Sequence, residues 1–267
     1  MNIVACIKQV PDTSEVKIDR ETNTLIREGV PSIINPFDLN AIEEGLLLKE
    51  RFGGSVTVIS MGPPQVESAL REALSLGVDR VVLLCDRAFA GSDTLATSCT
   101  LAAAIREIGF DLILCGKQAI DGDTAQVGPE IAEWLDVPHL TYISAVEEVS
   151  DRSITVSRLL EGGYERVRAS LPALLTVVKE LNEPRLPGYR ASLRAKTEPV
   201  TTWGAAGLNL DPANIGMKGS PTKVTRSFVP ELGRQGQFLA GSPEEQAAAL
   251  IAALRSARIV HGSAKES

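Results

Sequence analysis

The sequence predicts an α/β fold built on an open, doubly wound and mainly parallel sheet. The main observation is an alternation, over residues 1–140, of short apolar runs with longer stretches of helical periodicity. This is the rhythm of successive βαβ units. Composition agrees, because 267 residues with 44% apolar and 23% charged side chains are typical of a globular protein with a substantial core.

The elements follow in order along the chain. Apolar runs with β-branched residues predict four buried strands, at Ile3–Val10, Ser55–Met61, Arg80–Leu84 and Asp111–Cys115. Helical spacing of apolar residues predicts the helices between and after them, at Asp38–Phe52, Pro63–Leu76, Asp93–Ile108 and Thr124–Leu135. Gly77 is expected to cap the second of these helices.

After Pro138 the pattern changes. It predicts strands at Thr141–Val149, Ser153–Leu159 and Tyr164–Ala169, the last two forming an added hairpin, and a further strand at Leu171–Lys179 that returns to the sheet. From Leu181 onward no periodicity persists until a helix at Pro243–Ser256, so this stretch is expected to be disordered or an arm packed on another surface. The expected division is a domain at 1–200 and a C-terminal arm at 201–267, of which 261–267 is a frayed tail.

Charge and residue usage exclude several classes of protein. A net charge of −7 and only 4% aromatic residues argue against a nucleic-acid binder. Four cysteines without close spacing and two distant histidines argue against a metal site or a disulfide framework. No nucleophile motif is present, so we expect no catalytic side chain, and any chemistry would come from a cofactor. An apolar start without a leader, and no long apolar stretch, predict a cytoplasmic protein without membrane insertion.

Ligands of doubly wound sheets bind at the carboxyl ends of the strands. There the segment 122–128 offers Gly122, Thr124 and Gln126 at a helix start, which suits a phosphate group. The alternative is that Thr124 or its neighbour Asp123 only caps the helix. A second helix start around Gly91 leaves the same two interpretations open, and no G-x-G-x-x-G motif is present.

A basic cluster lies between residues 182 and 196. Four cations oppose one carboxylate there, a local charge of +3 on an acidic protein. Either a solvated loop or a docking site for an acidic partner explains it. The cluster consists of Arg185, Arg190, Arg194 and Lys196 against Glu183.

Four motifs, taken together and in order, make the chain similar to the beta subunits of electron transfer flavoproteins over Met1 to about Ile259. They are Val4 with Lys8-Gln9-Val10-Pro11-Asp12, Asn35-Pro36-Phe37-Asp38, the run Gly-Lys-Gln-Ala-Ile-Asp-Gly-Asp at 116–123, and Asn182-Glu183-Pro184-Arg185. The resemblance implies an adenine nucleotide alpha-hydrolase-like fold. It also implies a heterodimer with a flavin-carrying alpha subunit, and an adenine nucleotide bound by this chain.

The resemblance also implies roles for individual residues. Those of the adenine pocket would be Ala5, Cys6, Asn35, Asp38, Ser60, Met61 and Gly62. The phosphates would lie over Asp123, Thr124, Ala125, Gln126, Val127 and Gly128. Further cofactor-binding residues would be Cys115, Gly116, Asp121 and Gly122, together with Gly91, Asp93, Thr94 and Thr97 from the second helix start. Glu165 would lie near the electron path, and the loop 182–196 would dock a flavin dehydrogenase through Arg185, Tyr189, Arg190 and Leu193. The loop tip, Leu186-Pro187-Gly188-Tyr189, departs from the commonest pattern, which leaves the identity of that dehydrogenase open.

The bound nucleotide is expected to be FAD. AMP has one phosphate and needs one helix start, whereas FAD has two phosphates and this chain offers two such starts. The segment 90–97 also resembles that of bifurcating members, which implies NADH as a transient substrate and ferredoxin or flavodoxin as a possible partner. The alternatives are a conventional subunit with structural AMP and a nucleotide-sensing module without redox activity. A nucleotide hydrolase ranks last, for want of a nucleophile.

Overall fold

The computed structural model describes residues 1–12, 31–223, 225, 236 and 238–260, and the backbone of two short strands at 17–18 and 25–26. It divides into two compact units, Met1–Ser227 and Phe228–Ser267. The expected boundary after residue 200 lies inside the first unit. The tail expected at 261–267 lies outside the described residues.

The first unit contains all the strands and five helices of the described residues. The strands are β1 Asn2–Cys6, β2 Gln9–Pro11, β3 Lys17–Ile18, β4 Leu25–Ile26, β5 Ser32–Ile34, β6 Ser55–Met61, β7 Arg80–Leu84, β8 Leu112–Gly116, β9 His139–Val149, β10 Ser153–Leu160, β11 Gly163–Ser170, β12 Ala173–Val177 and β13 Thr201–Trp203. The helices are α1 Pro36–Phe52, α2 Glu67–Leu76, α3 Thr94–Ile108, α4 Val127–Leu135 and α5 Tyr189–Thr197. The second unit contains α6, Pro243–Ser256, and its leading Ser242 forms a capping box with Glu245.

Nine strands form one sheet in the order β11-β10-β9-β12-β8-β1-β6-β7-β13. All neighbours from β9 to β13 are parallel, and β10 is antiparallel to both β9 and β11. The chain runs from β1 outward to β6 and β7 and then returns to the other side of β1 as β8. The doubly wound parallel sheet and its added hairpin are therefore confirmed, with the topological switch point between β1 and β8.

Helices cover both faces of the sheet because the strand side chains alternate. In β1, Ile3 and Ala5 pack in a core with α1, α2 and α5, whereas Val4 and Cys6 pack on the opposite face with α3 and α4. All four side chains are buried. No helix in the described ranges is long and apolar enough to cross a membrane.

Three local expectations were wrong. The first strand ends at Cys6, because the backbone N–H of Lys8 is turned to the Asp38 carboxylate (2.7 Å) and β2 pairs separately with β5. Helix α4 begins at Val127, three residues later than predicted. The stretch after Leu181 contains a helix, α5, and a strand, β13, that extends the sheet beside β7.

Candidate functional site

The candidate site lies at the carboxyl edge of the sheet, beside the switch point. β1, β6 and β8 end there at Cys6, Met61 and Gly116. The loop after β8, residues 117–126, and the turn that opens α1 meet above these strand ends, as the contacts below show. The sequence placed most of its candidate residues at this edge.

Asn35 connects the two loops. It precedes α1, where an asparagine usually caps the helix with its side chain, yet it makes no such bond. Its Nδ2 instead donates to Asp38 Oδ1 and to the carbonyl of Gln118, both at 2.9 Å, and its Oδ1 accepts from the N–H of Ile120 (3.1 Å). This buried amide therefore fixes the shape of the loop after β8.

Asp38 is a buried carboxyl group beneath that loop. It accepts hydrogen bonds from the Lys8 N–H, from Asn35 and from the backbone of Gly116. Burial raises the pKa of Asp38 from 3.8 to about 7, in spite of these donors and the Lys8 charge. Asp38 is thus an internal support of the site, close to its ionisation point at neutral pH.

The loop 117–126 leads into α4 through an irregular backbone. Asp123 and Ala125 both have a φ of 54°, in the left-handed region, and the position of a Cβ on Gly122 has no atom within 4 Å. Lys8 Nζ bonds the Asp121 carboxylate (2.7 Å) and ties the loop to β1. Left-handed turns leading into a helix start create a concave surface that favours an anion such as a phosphate.

Gly128 explains how closely α4 lies on the sheet. A Cβ on Gly128 would come within 2.6 Å of a Thr176 methyl carbon on β12. Only a glycine therefore lets the first turn of α4 reach this position, which brings the helix start to the end of β8.

The second predicted helix start, that of α3, meets the first. Thr94 Oγ1 lies 3.2 Å from Gln126 Oε1 and 3.1 Å from Glu130 Oε1. Glu130 Oε2 is buried and has no hydrogen-bond partner within the described ranges. The two helix starts therefore share one cluster of polar groups that includes an unused acceptor.

The Asp93 side chain and backbone N–H are hydrogen-bonded to neighbouring residues of the chain. Its carboxylate accepts from the N–H groups of Ala96 (3.1 Å) and Thr222 (2.9 Å), and its own N–H donates to Ser220 (2.8 Å). Helix capping, the simpler of the two interpretations of this position, is thus realised. Nearby, Gly91 has a φ of 75°.

The remaining predicted pocket residues offer mainly backbone groups or small surfaces. Ala5, Cys6 and Cys115 are buried, and the Ser60 hydroxyl donates to the carbonyl of Ile7 (2.8 Å). The others lie on the same strand ends or helix starts: Met61 and Gly62 at the end of β6, Thr97 in the first turn of α3, and Thr124 and Val127 at the entry to α4.

The docking candidates are divided by the structure. Tyr189 and Leu193, one turn apart on α5, have exposed side chains, and so does Leu186, which is 88% exposed. Arg190 is exposed as well. Arg185, in contrast, is bonded to Glu43 and Glu50 within the chain.

Glu165 lies away from these groups. It is half exposed on β11 and lies 3.8 Å from Arg158. One row of paired residues connects it through Arg158, Ile143 and Val177 to Gly116, which is four strands away. At about 4.8 Å per strand the separation is roughly 19 Å.

Some supporting residues escaped the sequence-based prediction. Lys117 Nζ lies over the rings of Phe37 (5.8 Å) and Tyr142 (5.0 Å), which anchors the start of the loop. Tyr142 has a left-handed backbone, with a φ of 60°, where the register of β9 shifts. Glu130 was also missed, although its position one turn after Gln126 was a usable signal.

No group of three or more potential metal ligands occurs among the described residues. The neighbouring Cys6 thiol, together with burial, holds the pKa of the Cys115 thiol well above its usual range, so this thiol is a poor nucleophile. The start of α4 suits an anionic ligand such as a phosphate group.

Comparisons with known proteins identify the family of this chain. The family model described as the electron transfer flavoprotein domain matches residues 22–208. The chain is 53% identical to an electron transfer flavoprotein subunit beta of Clostridium acetobutylicum, over 96% of this chain and 98% of the relative. It is 48% identical to the caffeyl-CoA reductase-Etf complex subunit CarD of Acetobacterium woodii (97% and 100%) and to protein FixA of Bradyrhizobium diazoefficiens (95% and 91%). The chain therefore belongs to the electron transfer flavoprotein family.

Proposed function

We propose that this chain is the beta subunit of a heterodimeric electron transfer flavoprotein and that it binds FAD at the candidate site. In this role it takes part in electron bifurcation. The bound flavin would accept hydride from NADH and pass electrons singly to ferredoxin or flavodoxin and to the FAD of the alpha subunit. The alpha subunit would in turn reduce a flavin dehydrogenase.

One observation carries the choice of FAD. The starts of α3 and α4 meet at Thr94 and leave Glu130 Oε2 buried without a partner among the described residues. A dinucleotide has two phosphates and a polyhydroxyl chain, so it can use both helix starts and donate a hydroxyl to a free carboxylate oxygen. The CarD relative is named as a subunit of a caffeyl-CoA reductase-Etf complex, which points to a larger redox assembly and supports the same choice.

A conventional subunit with structural AMP is the second candidate. The capping role of Asp93, whose carboxylate is bonded to Ala96 and Thr222, favours it, because a helix start that serves only the fold needs no phosphate. A non-redox sensor would use the same adenine pocket but would form no flavin-containing complex.

The nucleotide content of the purified complex separates these candidates. The heterodimer is denatured, and released FAD and AMP are quantified by chromatography against protein concentration. We expect close to two FAD and no AMP per heterodimer. One FAD with one AMP would overturn the bifurcation proposal, and a colourless complex would favour the sensor.

The unit that contains α6 is proposed to cover the alpha subunit. Leu250 and Ile251 are about half exposed on this helix, and Ile259 and Val260 just after it are also exposed. An apolar stripe of this kind needs a partner surface. A stable heterodimer would bury more than about 1,000 Å² in total.

Arg190 provides a test of docking. Arg190→Glu reverses an exposed charge on the α5 surface. We therefore expect the rate of association with an acidic dehydrogenase to fall about tenfold at low salt. The association rate of this variant should also depend less strongly on salt concentration. Arg194, another member of the basic cluster, is unsuitable for this test, because its guanidinium donates to the carbonyl of Val78.

The matched control is Arg152→Glu, which makes the same charge change at the exposed turn between β9 and β10. Stopped-flow oxidation of the reduced heterodimer by the dehydrogenase measures both variants. If the two variants behave alike, net charge and not docking at α5 explains the effect.

A further inference from the structure

Helix α1 has an unusual polar face. Asn40, Glu43 and Glu44 are all buried, although helix faces that pack inside proteins are normally apolar. Buried polar groups require partners. The partners of this face come from a segment some 140 residues later in the chain, which begins the proposed docking loop.

The first set of contacts joins two asparagines. Asn40 Nδ2 donates to the carbonyl of Asn182 (2.9 Å), and Asn182 Nδ2 donates to the carbonyl of Asn40 (3.1 Å) and to Glu44 Oε2 (3.0 Å). Burial raises the pKa of Glu44, and the bond from Asn182 opposes that rise. The irregular backbone at residue 182 is thus satisfied by a helix side chain.

The second set is an ion-pair cluster. The Arg185 guanidinium grips both oxygens of Glu43, with Nε to Oε2 at 2.8 Å and Nη2 to Oε1 at 2.9 Å, and its Nη1 bonds Glu50 (2.6 Å). Glu43 also accepts the backbone N–H of Arg185 (3.1 Å). Its side chain is only 7% exposed, so the bidentate pair is shielded from water. These bonds raise the pKa of Arg185 above its already high value.

The exposed docking residues follow directly. Leu186 comes next in the chain, and the N–H of Gly188 then bonds the carbonyl of Ser75 on α2 (3.2 Å). Arg71 of α2 donates to the carbonyl of Ala195 at the end of α5 (2.7 Å). The segment that carries the exposed docking residues is therefore bonded to α1 on its N-terminal side and to α2 on its C-terminal side.

We propose that Arg185 and Asn182 are positioning residues that fasten the docking segment to α1 and thereby set the affinity for the dehydrogenase. Their contacts to Asn40, Glu43, Glu44 and Glu50 are called the α1 clasp. This inference rests on the proposed docking role of α5. It assigns Arg185 to support of the docking surface and leaves contact with the partner to Leu186, Tyr189, Arg190 and Leu193. A loop that is ordered before binding loses less entropy when it binds.

The test uses the intact heterodimer carrying Arg185→Gln or Arg185→Lys. Arg185→Gln removes the charge, whereas Arg185→Lys keeps the charge but cannot grip both oxygens of Glu43. Arg51→Gln is the matched control. Arg51 is an exposed cation on α1, and its guanidinium lies over the Phe52 ring. Amide hydrogen exchange of residues 182–193 is measured together with electron transfer to an acyl-CoA dehydrogenase that accepts electrons from the unmodified complex.

For Arg185→Gln we expect faster exchange in 182–193 and about a tenfold rise in the KM for the heterodimer. The kcat and the rate of flavin reduction by NADH should remain within about twofold. Arg185→Lys should fall between Arg185→Gln and the control. If Arg185→Gln fails to fold, the lysine variant alone decides. Unchanged exchange and KM in the lysine variant, or a fall in kcat without a rise in KM, overturns the clasp.

A double-mutant cycle and one surface variant complete the design. Glu43→Gln together with Arg185→Gln should raise KM no more than Arg185→Gln alone, because Arg185→Gln already breaks the contact with Glu43; fully multiplicative effects contradict the proposal. Tyr189→Ala tests the docking surface itself. If Tyr189→Ala raises KM and the Arg185 variants do not, only the clasp fails; if Tyr189→Ala has no effect, the docking role of α5 fails.

Discussion

Gly116→Ala should destabilise the protein by about 3 kcal/mol or more and abolish nucleotide binding. A Cβ at this position would lie 2.2 Å from Asp38 Oδ1 and 2.8 Å from the backbone carbon of Phe37. Neither neighbour can move freely, because Asp38 is buried and held by Lys8 and Asn35. Overpacking of a closely packed interior commonly costs about 1–3 kcal/mol, and here backbone must move as well.

Gly122→Ala is the control for this change. It lies in the loop that follows Gly116, its backbone has no left-handed φ, and its Cβ would meet no atom within 4 Å. We expect it to change stability by less than about 0.5 kcal/mol. Thermal unfolding of both heterodimers, with nucleotide quantified after denaturation, checks the pair. Equal melting temperatures for the two variants would contradict the close packing of Gly116 against Asp38.

Stability should fall as pH rises from about 4 to about 7 because of Asp38. Burial raises the pKa of Asp38 from 3.8 to about 7 in the folded protein, so between these values the folded state holds a proton that the unfolded state has lost. The resulting stabilisation is complete below about pH 4 and disappears as pH rises past 7. The corresponding free energy is about 4 kcal/mol.

Asp38→Asn removes this titration. The amide group of the variant would face N–H donors whose hydrogen bonds the Asp38 carboxyl group accepts. The absolute stability of the variant is therefore expected to be lower at acid pH. The informative quantity is the difference in melting temperature between the natural protein and the variant, which should shrink or reverse from pH 5 to pH 8. Asp111→Asn, at an exposed site that accepts from the Asn2 N–H, serves as control. Parallel curves for the natural protein and Asp38→Asn would contradict the raised pKa.

Sequence patterns predicted the parallel sheet well because its elements are local and periodic. The runs at Ser55–Met61 and Arg80–Leu84 became strands with those bounds, and Gly77 caps α2 with a left-handed backbone, as expected. The start of α4 was misplaced because Asp123 and Thr124 are good capping residues. In the fold, the left-handed backbone at Asp123 and Ala125 continues the loop to residue 126.

Long-range polar contacts were beyond the reach of sequence patterns. Nothing local to α1 shows that Glu43 is paired with a residue 142 positions away. Helix α5 is short, and it was overlooked because it is stabilised by packing on α2. The cluster of arginines was correctly recognised as basic, but only the structure separates Arg185, which is engaged inside the chain, from the exposed Arg190.

The bracing of α5 from both sides has a bearing on how such proteins diversify. Leu186 and Tyr189, which are 88% and 79% exposed, and their neighbours Arg190 and Leu193 can be exchanged without disturbing a core contact. The residues that hold them in place belong to α1 and α2 and to the roots of the segment. With the proposed docking role of α5, new partner preferences would arise, or be engineered, by exchange of a few surface side chains on an unaltered frame.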